Sequence, residues 1–221
     1  MPLGTLRNVA VLSREEFDAI EFDAAASGDH QAAARRMSKL AVTGTQSDSM
    51  PRSEAFLRAG EQWLLADDPA AAASGFRLAM ADGGPVFVDP RVPLARALFL
   101  LGKPTEAQAL LDDLKAGGRR DPRTCDLVAE LLVERSDLAG ALDWATAGVE
   151  LCLQRIPNGV PAQRQPQPDE DAANGDHDIT LAAAASGDAE AELRLLLSLR
   201  YRIRNDLGLP EDRYDGLLDE V

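Results

Sequence analysis

Cysteine, histidine and aromatic residues are scarce in this chain, and each scarcity narrows what it can be. Two cysteines in 221 residues do not make a disulfide scaffold. Two histidines, His30 and His177, are far short of a ligand set. Aromatics are only 5% of the chain while alanine is heavily used. Alanine costs no side-chain entropy in a helix, so this composition favours helices packed closely through small residues. Basic residues are outnumbered 23 to 37, for a net charge of −14. Such a balance opposes non-specific nucleic-acid binding and attachment to an anionic membrane surface. It favours solubility and basic partners. No apolar run approaches the roughly 18 residues of a membrane span. Met1 to Val11 lacks a basic region followed by an apolar core, so no signal peptide is read and a cytoplasmic protein is expected.

Candidate chemistry is equally thin. Gly28-Asp29-His30 reads as a helix-capping turn and Gly175-Asp176-His177-Asp178 as part of a linker. Neither serine nor cysteine lies in a nucleophile motif. Gly83-Gly84 and Gly117-Gly118 follow no predicted strand and lack the lysine and hydroxyl of a phosphate loop, so they read as helix stops. The run Asp169-Glu170-Asp171 reads as solvated charge. Cys125 opens one predicted helix and Cys152 closes its antiparallel partner, which puts the two ends side by side. A bridge is geometrically open there, but a reducing compartment favours two free thiols. No catalytic residue, cofactor or metal site is assigned, and the chain is expected not to be an enzyme.

What is present is a period. Gly60, Ala95 and Ala129 are followed twelve residues on by Ala72, Ala107 and Ala141. Trp63, Leu98 and Leu132 sit three after the first mark; Phe76, Leu111 and Ala145 sit four after the second. The offsets are 35 and 34 throughout. A fixed period of this length predicts stacked helical hairpins. Small residues recur where two antiparallel helices nearly touch, and a bulky residue at Ala107 would overpack the contact by about 1–3 kcal/mol. Helices are predicted at about 14–26, 30–42, 53–66, 69–81, 90–101, 104–116, 122–135 and 138–153. Ser13, Asp29, Asp68 and Asp121 are the capping residues, with proline following the last two. The pair at 14–42 is a degenerate first repeat, Thr43 to Pro51 a polar connection, and residues 1–12 an extended tail.

This pattern resembles the tetratricopeptide repeat family over residues 14–153, most clearly over 53–153. The resemblance implies an all-α, short α-solenoid of antiparallel hairpins. The sequence departs from the family pattern where Gly60 replaces an alanine-like residue, where Ala145 stands at a common aromatic position, and where Asp67 and Ser136 stand for turn glycine. Lys115 to Asp121 is a slightly long connection.

Gln154 to Thr180 holds Pro157, Pro161, Pro166 and Pro168 with several Gln and Asp, and is expected to be a disordered linker. Three regions result: an array at 1–153, the linker at 154–180 and a C-terminal element at 181–221. Within the last, Leu181 to Ala185 reads as a short helical turn. Ser186-Gly187-Asp188 reads as a break like Ser27-Gly28-Asp29, and Ala189 to Leu207 as a leucine-rich helix that caps the array. Gly208 and Pro210 end it. The stretch Leu207 to Tyr214 resembles the tail of a set of actinobacterial tetratricopeptide-like proteins, some of which carry a SEC-C zinc motif. The Cys and His cluster of that motif is absent here, so the resemblance brings no metal site. Arg194, Arg200, Arg202 and Arg204 stand out in so acidic a chain: a solvated face, a docking face for an anionic partner, or internal pairs of Arg200 and Arg204 with acidic residues of the repeats.

In the resembling family one face of each first helix lines a concave groove. Mapped here, that face comprises Glu54, Leu57, Glu61, Leu64, Val92, Arg96, Phe99, Arg123, Asp126, Glu130 and Val133. The basic, Asn-containing clamp by which some relatives hold a terminal carboxylate is absent. The mixed apolar and acidic face fits a basic, partly apolar peptide or protein. The expected function is therefore a non-enzymatic interaction adaptor. The alternative is a structural or regulatory subunit of a fixed homo-oligomer that captures no peptide.

Overall fold

The structure, a computed structural model, describes residues 11–117, 121–155 and 178–219. Among them the chain is helical: α1 (Arg14–Ser27), α2 (His30–Thr43), α3 (Arg52–Leu65), α4 (Pro69–Asp82), α5 (Arg91–Leu100), α6 (Pro104–Ala116), α7 (Pro122–Glu134), α8 (Leu138–Arg155) and α9 (Asp178–Asp206), with a 3-10 turn at Asp215–Asp219. Strand-like pairing among these residues is confined to two isolated bridges, Val11 with Thr45 and Ser47 with Met50. The chain divides into two units, Met1–Gly117 and Gly118–Val221. The division falls inside the stretch that the period marks as one array of residues 1–153.

In the first unit each helix packs against the next in sequence from α1 to α6, which is the stacking of helical hairpins. Helix starts are local chemistry. Ser13 accepts from the Glu16 amide at 3.2 Å, Asp29 from the Ala32 amide at 3.0 Å, and Asp68 from the Ala71 amide at 2.9 Å. The turns within hairpins repeat at the backbone level. Asp67, Gly102 and Ser136 all adopt left-handed backbone, at φ 57°, 71° and 61°. In each case the next amide reaches back to the first helix: Asp68 to the Trp63 carbonyl, Lys103 to Leu98 and Asp137 to Leu132, each at 2.9 Å. The 35- and 34-residue offsets are thus offsets of one turn geometry, in which glycine is at ease and Asp67 and Ser136 are strained.

Small residues mark the close approaches. Ala72, Ala95, Ala107, Ala129 and Ala141 are all fully buried. A Cβ on Gly60 would come within 2.5 Å of the Phe76 ring, and one on Gly75 within 3.2 Å of the Gly60 Cα. The period pairs Gly60 with Ala72; a close backbone approach of α3 and α4 also falls at Gly75, which the period does not single out. Nor are all of residues 11–12 a free tail: Leu12 is buried, its amide donating to the Thr45 carbonyl at 2.7 Å. Residues 1–10 lie outside the described residues.

In the second unit α7 and α8 form a hairpin, and α9 packs on both. A Cβ on Gly148 would meet the Leu196 side chain at 2.7 Å and the Cys125 Cβ at 2.9 Å, so α8 approaches both neighbours at that glycine. Cys125 and Cys152 are both buried, and burial pushes the Cys152 thiol up to about 11. The C-terminal helix is longer than its sequence suggests: α9 runs unbroken through Ser186-Gly187-Asp188. The same three residues at 27–29 do end a helix, with Gly28 left-handed at φ 76°. Glycine permits a stop without forcing one. Flanked by Leu181 to Ala185 and the leucines that follow, propagating the helix outweighs glycine's cost of about 1 kcal/mol. Of the predicted linker, residues 156–177 lie outside the described residues, while Asp178 to Thr180 belong to α9.

Candidate interaction surfaces

The eleven residues mapped to a groove divide by burial and by unit. In the first unit α3 is enclosed over most of its length, from Ser53 to Gly60 and at Gln62. Leu57 and Val92 are core residues, and Glu54 is 7% exposed. These three are therefore corrected from surface to interior. Glu54 accepts from the Phe87 amide at 2.9 Å, and neighbouring Ser53 donates to the Pro85 carbonyl at 2.8 Å. Two polar residues at the start of α3 thus hold the connection from α4 to α5, which a purely apolar α3 would leave unanchored. Glu61, Leu64, Arg96 and Phe99 are half-buried and remain partly accessible. Leu65 and Leu100, which follow Leu64 and Phe99, are exposed.

In the second unit Arg123 and Glu130 are exposed, and Asp126 and Val133 half-buried. Burial pushes the Asp126 carboxyl up to about 6; Glu130 and Glu192 of α9 push the same way, and Arg123 offsets part of it. Arg155 of α8 pairs with Glu192 at 3.9 Å.

Two buried arginines form the densest polar clusters, and only one is foreshadowed by the sequence. Arg58 on α3 donates Nε to Glu21 at 2.8 Å and Nη2 to Asp18 at 2.6 Å, both on α1, with its guanidinium 5.6 Å from the Phe17 ring. Burial alone would lower its pKa; the hydrogen bonds and charges of Glu21 and Asp18 outweigh this and hold it above the usual arginine value. No periodic signal reports Arg58, because its partners lie 37 and 40 residues away. Arg200 and Arg204 on α9 do pair internally, with Asp212 and Asp215 of the tail rather than with acidic residues of the repeats.

Other candidates resolve into structure. His30 Nδ1 lies 3.0 Å from Gln62 Oε1, while Asp29 caps α2. Gly83 is a left-handed helix cap. His177 and Asp169-Glu170-Asp171 lie outside the described residues. A cleft of about 200 Å³ between α1 and α2 is floored by Ile20, Ala24 and Ala33 and rimmed by Asp23, Asp29 and Arg36. Among the described residues no group of three or more His, Cys, Asp or Glu is placed to hold a metal, and no helix is long and apolar enough to cross a membrane. No protein family, curated protein or solved structure matches the chain.

Proposed function

We propose that this chain is a non-enzymatic adaptor that binds a basic, partly apolar peptide or protein on the accessible faces of its first helices. The observation that carries this reading is Asp126. It stands half-buried on α7 near Glu130 and near Glu192 of α9, and burial together with these carboxylates pushes it up to about 6. A lysine or arginine brought there by a partner relieves that repulsion and steers association. In the first unit Glu61 lies on the same mapped face as half-buried Leu64 and Phe99, with exposed Leu65 and Leu100 adding apolar area. The resemblance to tetratricopeptide repeats supports the same use of first helices.

The test is titration of a basic amphipathic peptide into the full chain and into Glu61→Lys and Glu130→Lys variants. Each reversal is expected to weaken binding on the order of tenfold at low salt. Affinity should also rise as the pH passes upward through about 6, where Asp126 gains its charge. Unchanged affinity in both variants removes these faces from the account. The second reading, a fixed homo-oligomer, draws on exposed Phe22 and Phe87. A concentration-independent dimer mass by light scattering, with no peptide binding, favours it.

A further inference from the structure

The segment that follows α9 is held like a bound ligand. Gly208, left-handed at φ 65°, ends the helix, and Leu207 and Leu209 beside it are exposed. Beyond them the chain turns back onto α8 and α9. Arg200, with a side chain 4% exposed, donates Nη1 to Asp212 at 3.0 Å and to Asp215 at 3.2 Å. Its Nη2 also pairs with Asp212, and its Nε donates to Thr146 Oγ1 of α8 at 3.1 Å. Arg204, one turn on, reaches Asp212 at 2.9 Å and Asp215 at 3.2 Å, and donates to the Pro210 carbonyl.

Between the two carboxylates sits Tyr214. Arg200 lies 4.7 Å over its ring, and its hydroxyl donates to Glu150 of α8 at 2.9 Å. The ring joins Val149 and Cys152 of α8 and Leu193, Leu196 and Leu197 of α9 in one buried cluster, and Leu217 and Leu218 pack against it. The receiving groups, Thr146, Glu150, Arg200, Arg204 and the apolar floor, all stand on helices. Most of the segment they receive has no helix of its own. Two arginine forks that match carboxylates, an aromatic ring in an apolar cleft and a hydroxyl contact at its far end are the elements of peptide recognition.

We infer that the α8–α9 groove is a peptide-binding site closed by the chain's own tail, and that it accepts in trans a protein segment of the same chemistry: two carboxylates three residues apart, with tyrosine immediately before the second. Charge complementarity selects the ligand, since a net-acidic chain presents a paired-arginine cleft here and fills it with aspartates. The tether keeps the tail at a local concentration on the order of millimolar, so the resting protein is closed and an outside segment must compete.

The probe is a fluorescent peptide with the sequence of residues 207–219, titrated into the full chain and followed by anisotropy. The wild-type chain should bind it weakly. An Asp212→Asn/Asp215→Asn variant, which loosens the tail and leaves the receiving arginines intact, should bind it on the order of tenfold more tightly. Adding Arg200→Gln should abolish that gain. A probe with Asp212 and Asp215 replaced by asparagine should not bind. Equal affinity for wild-type and double variant, with the helical circular-dichroism signal retained, overturns the inference. If the double variant loses its fold, hydrogen exchange of the wild-type chain decides. Excess peptide should accelerate exchange in residues 207–218, and unchanged exchange at the highest peptide concentration overturns the proposal. A tail-exchanged dimer that disappears in the double variant is the same recognition with a second copy as donor, and supports it.

Discussion

Arg58 and Arg200 bury the same side chain in the two units, at 10% and 4% exposure, each beside an aromatic ring and each gripping two carboxylates. They differ in what they grip. Arg58 joins α3 to Asp18 and Glu21, which stand on a helix whose backbone bonds are already satisfied. Arg200 grips Asp212 and Asp215, which lie on either side of Tyr214 in the tail. The solvent left to the acids differs as well: Asp18 is 58% exposed, whereas Asp215 is 7% exposed. One cluster ties together two elements that are already helical; the other, with the apolar contacts of Tyr214, Leu217 and Leu218, holds a segment with little helix of its own.

Removing each arginine separates the two roles. Arg200→Ala leaves the buried Asp215 carboxylate with Arg204 as its one remaining arginine partner and empties the contact over Tyr214, and should cost about 3–4 kcal/mol in urea denaturation of the second unit. It should also open the chain to protease near Leu207. Arg58→Ala should cost less, about 1–3 kcal/mol, because Asp18 can return to water. Equal losses would mean that the tail is held by its apolar contacts and the charges are incidental. Acid acts in the same direction at the tail. Arg200 holds the Asp212 carboxyl below its ordinary value, so the stability that this aspartate contributes is present above the usual carboxylate range and is lost as the pH falls through the lowered value.

A carboxylate with the opposite balance sharpens the contrast. Asp126 is raised to about 6, so its contribution is favourable while protonated and is lost as the pH rises through 6. Asp126→Asn should stabilise the second unit at pH 7.5 by about 1–2 kcal/mol, after allowance for the solvent that reaches this half-buried group. The gain should vanish near pH 4, where the wild-type carboxyl is itself neutral. A gain that is independent of pH would show that charge repulsion is not the cause.

The smallest effect concerns the repeated turn. Ser136→Gly should stabilise the α7–α8 hairpin by about 0.5–1 kcal/mol in thermal denaturation, and Gly102→Ala should destabilise α5–α6 by about 1 kcal/mol. These paired signs follow from the left-handed backbone that Gly102 and Ser136 share.

The helices were readable because their signals are near in sequence. A cap and its amide are three residues apart at Ser13, Asp29, Asp68 and Asp121. The turns at Asp67, Gly102 and Ser136 close through bonds spanning five residues. The groove is less legible. α3 lies between α2 and α4, so Glu54 and Leu57, which its spacing puts on an outward face, are enclosed. Periodicity reports which side of a helix is apolar, and does not report whether a second neighbour covers the other side. Ser186-Gly187-Asp188 failed for a related reason: a permissive residue takes the conformation that its surroundings favour.

Amino-acid order alone therefore accounts for the helices, their caps and the recurring turn, since each depends on atoms a few bonds along the chain. Folding in three dimensions assigned Arg58 to Glu21, Arg200 to Asp212 and Asp215, and Tyr214 to Glu150 across 64 residues. Many acids along the chain are equivalent to an arginine until packing excludes water from all but one pair. Burial, which no local pattern encodes, makes that choice.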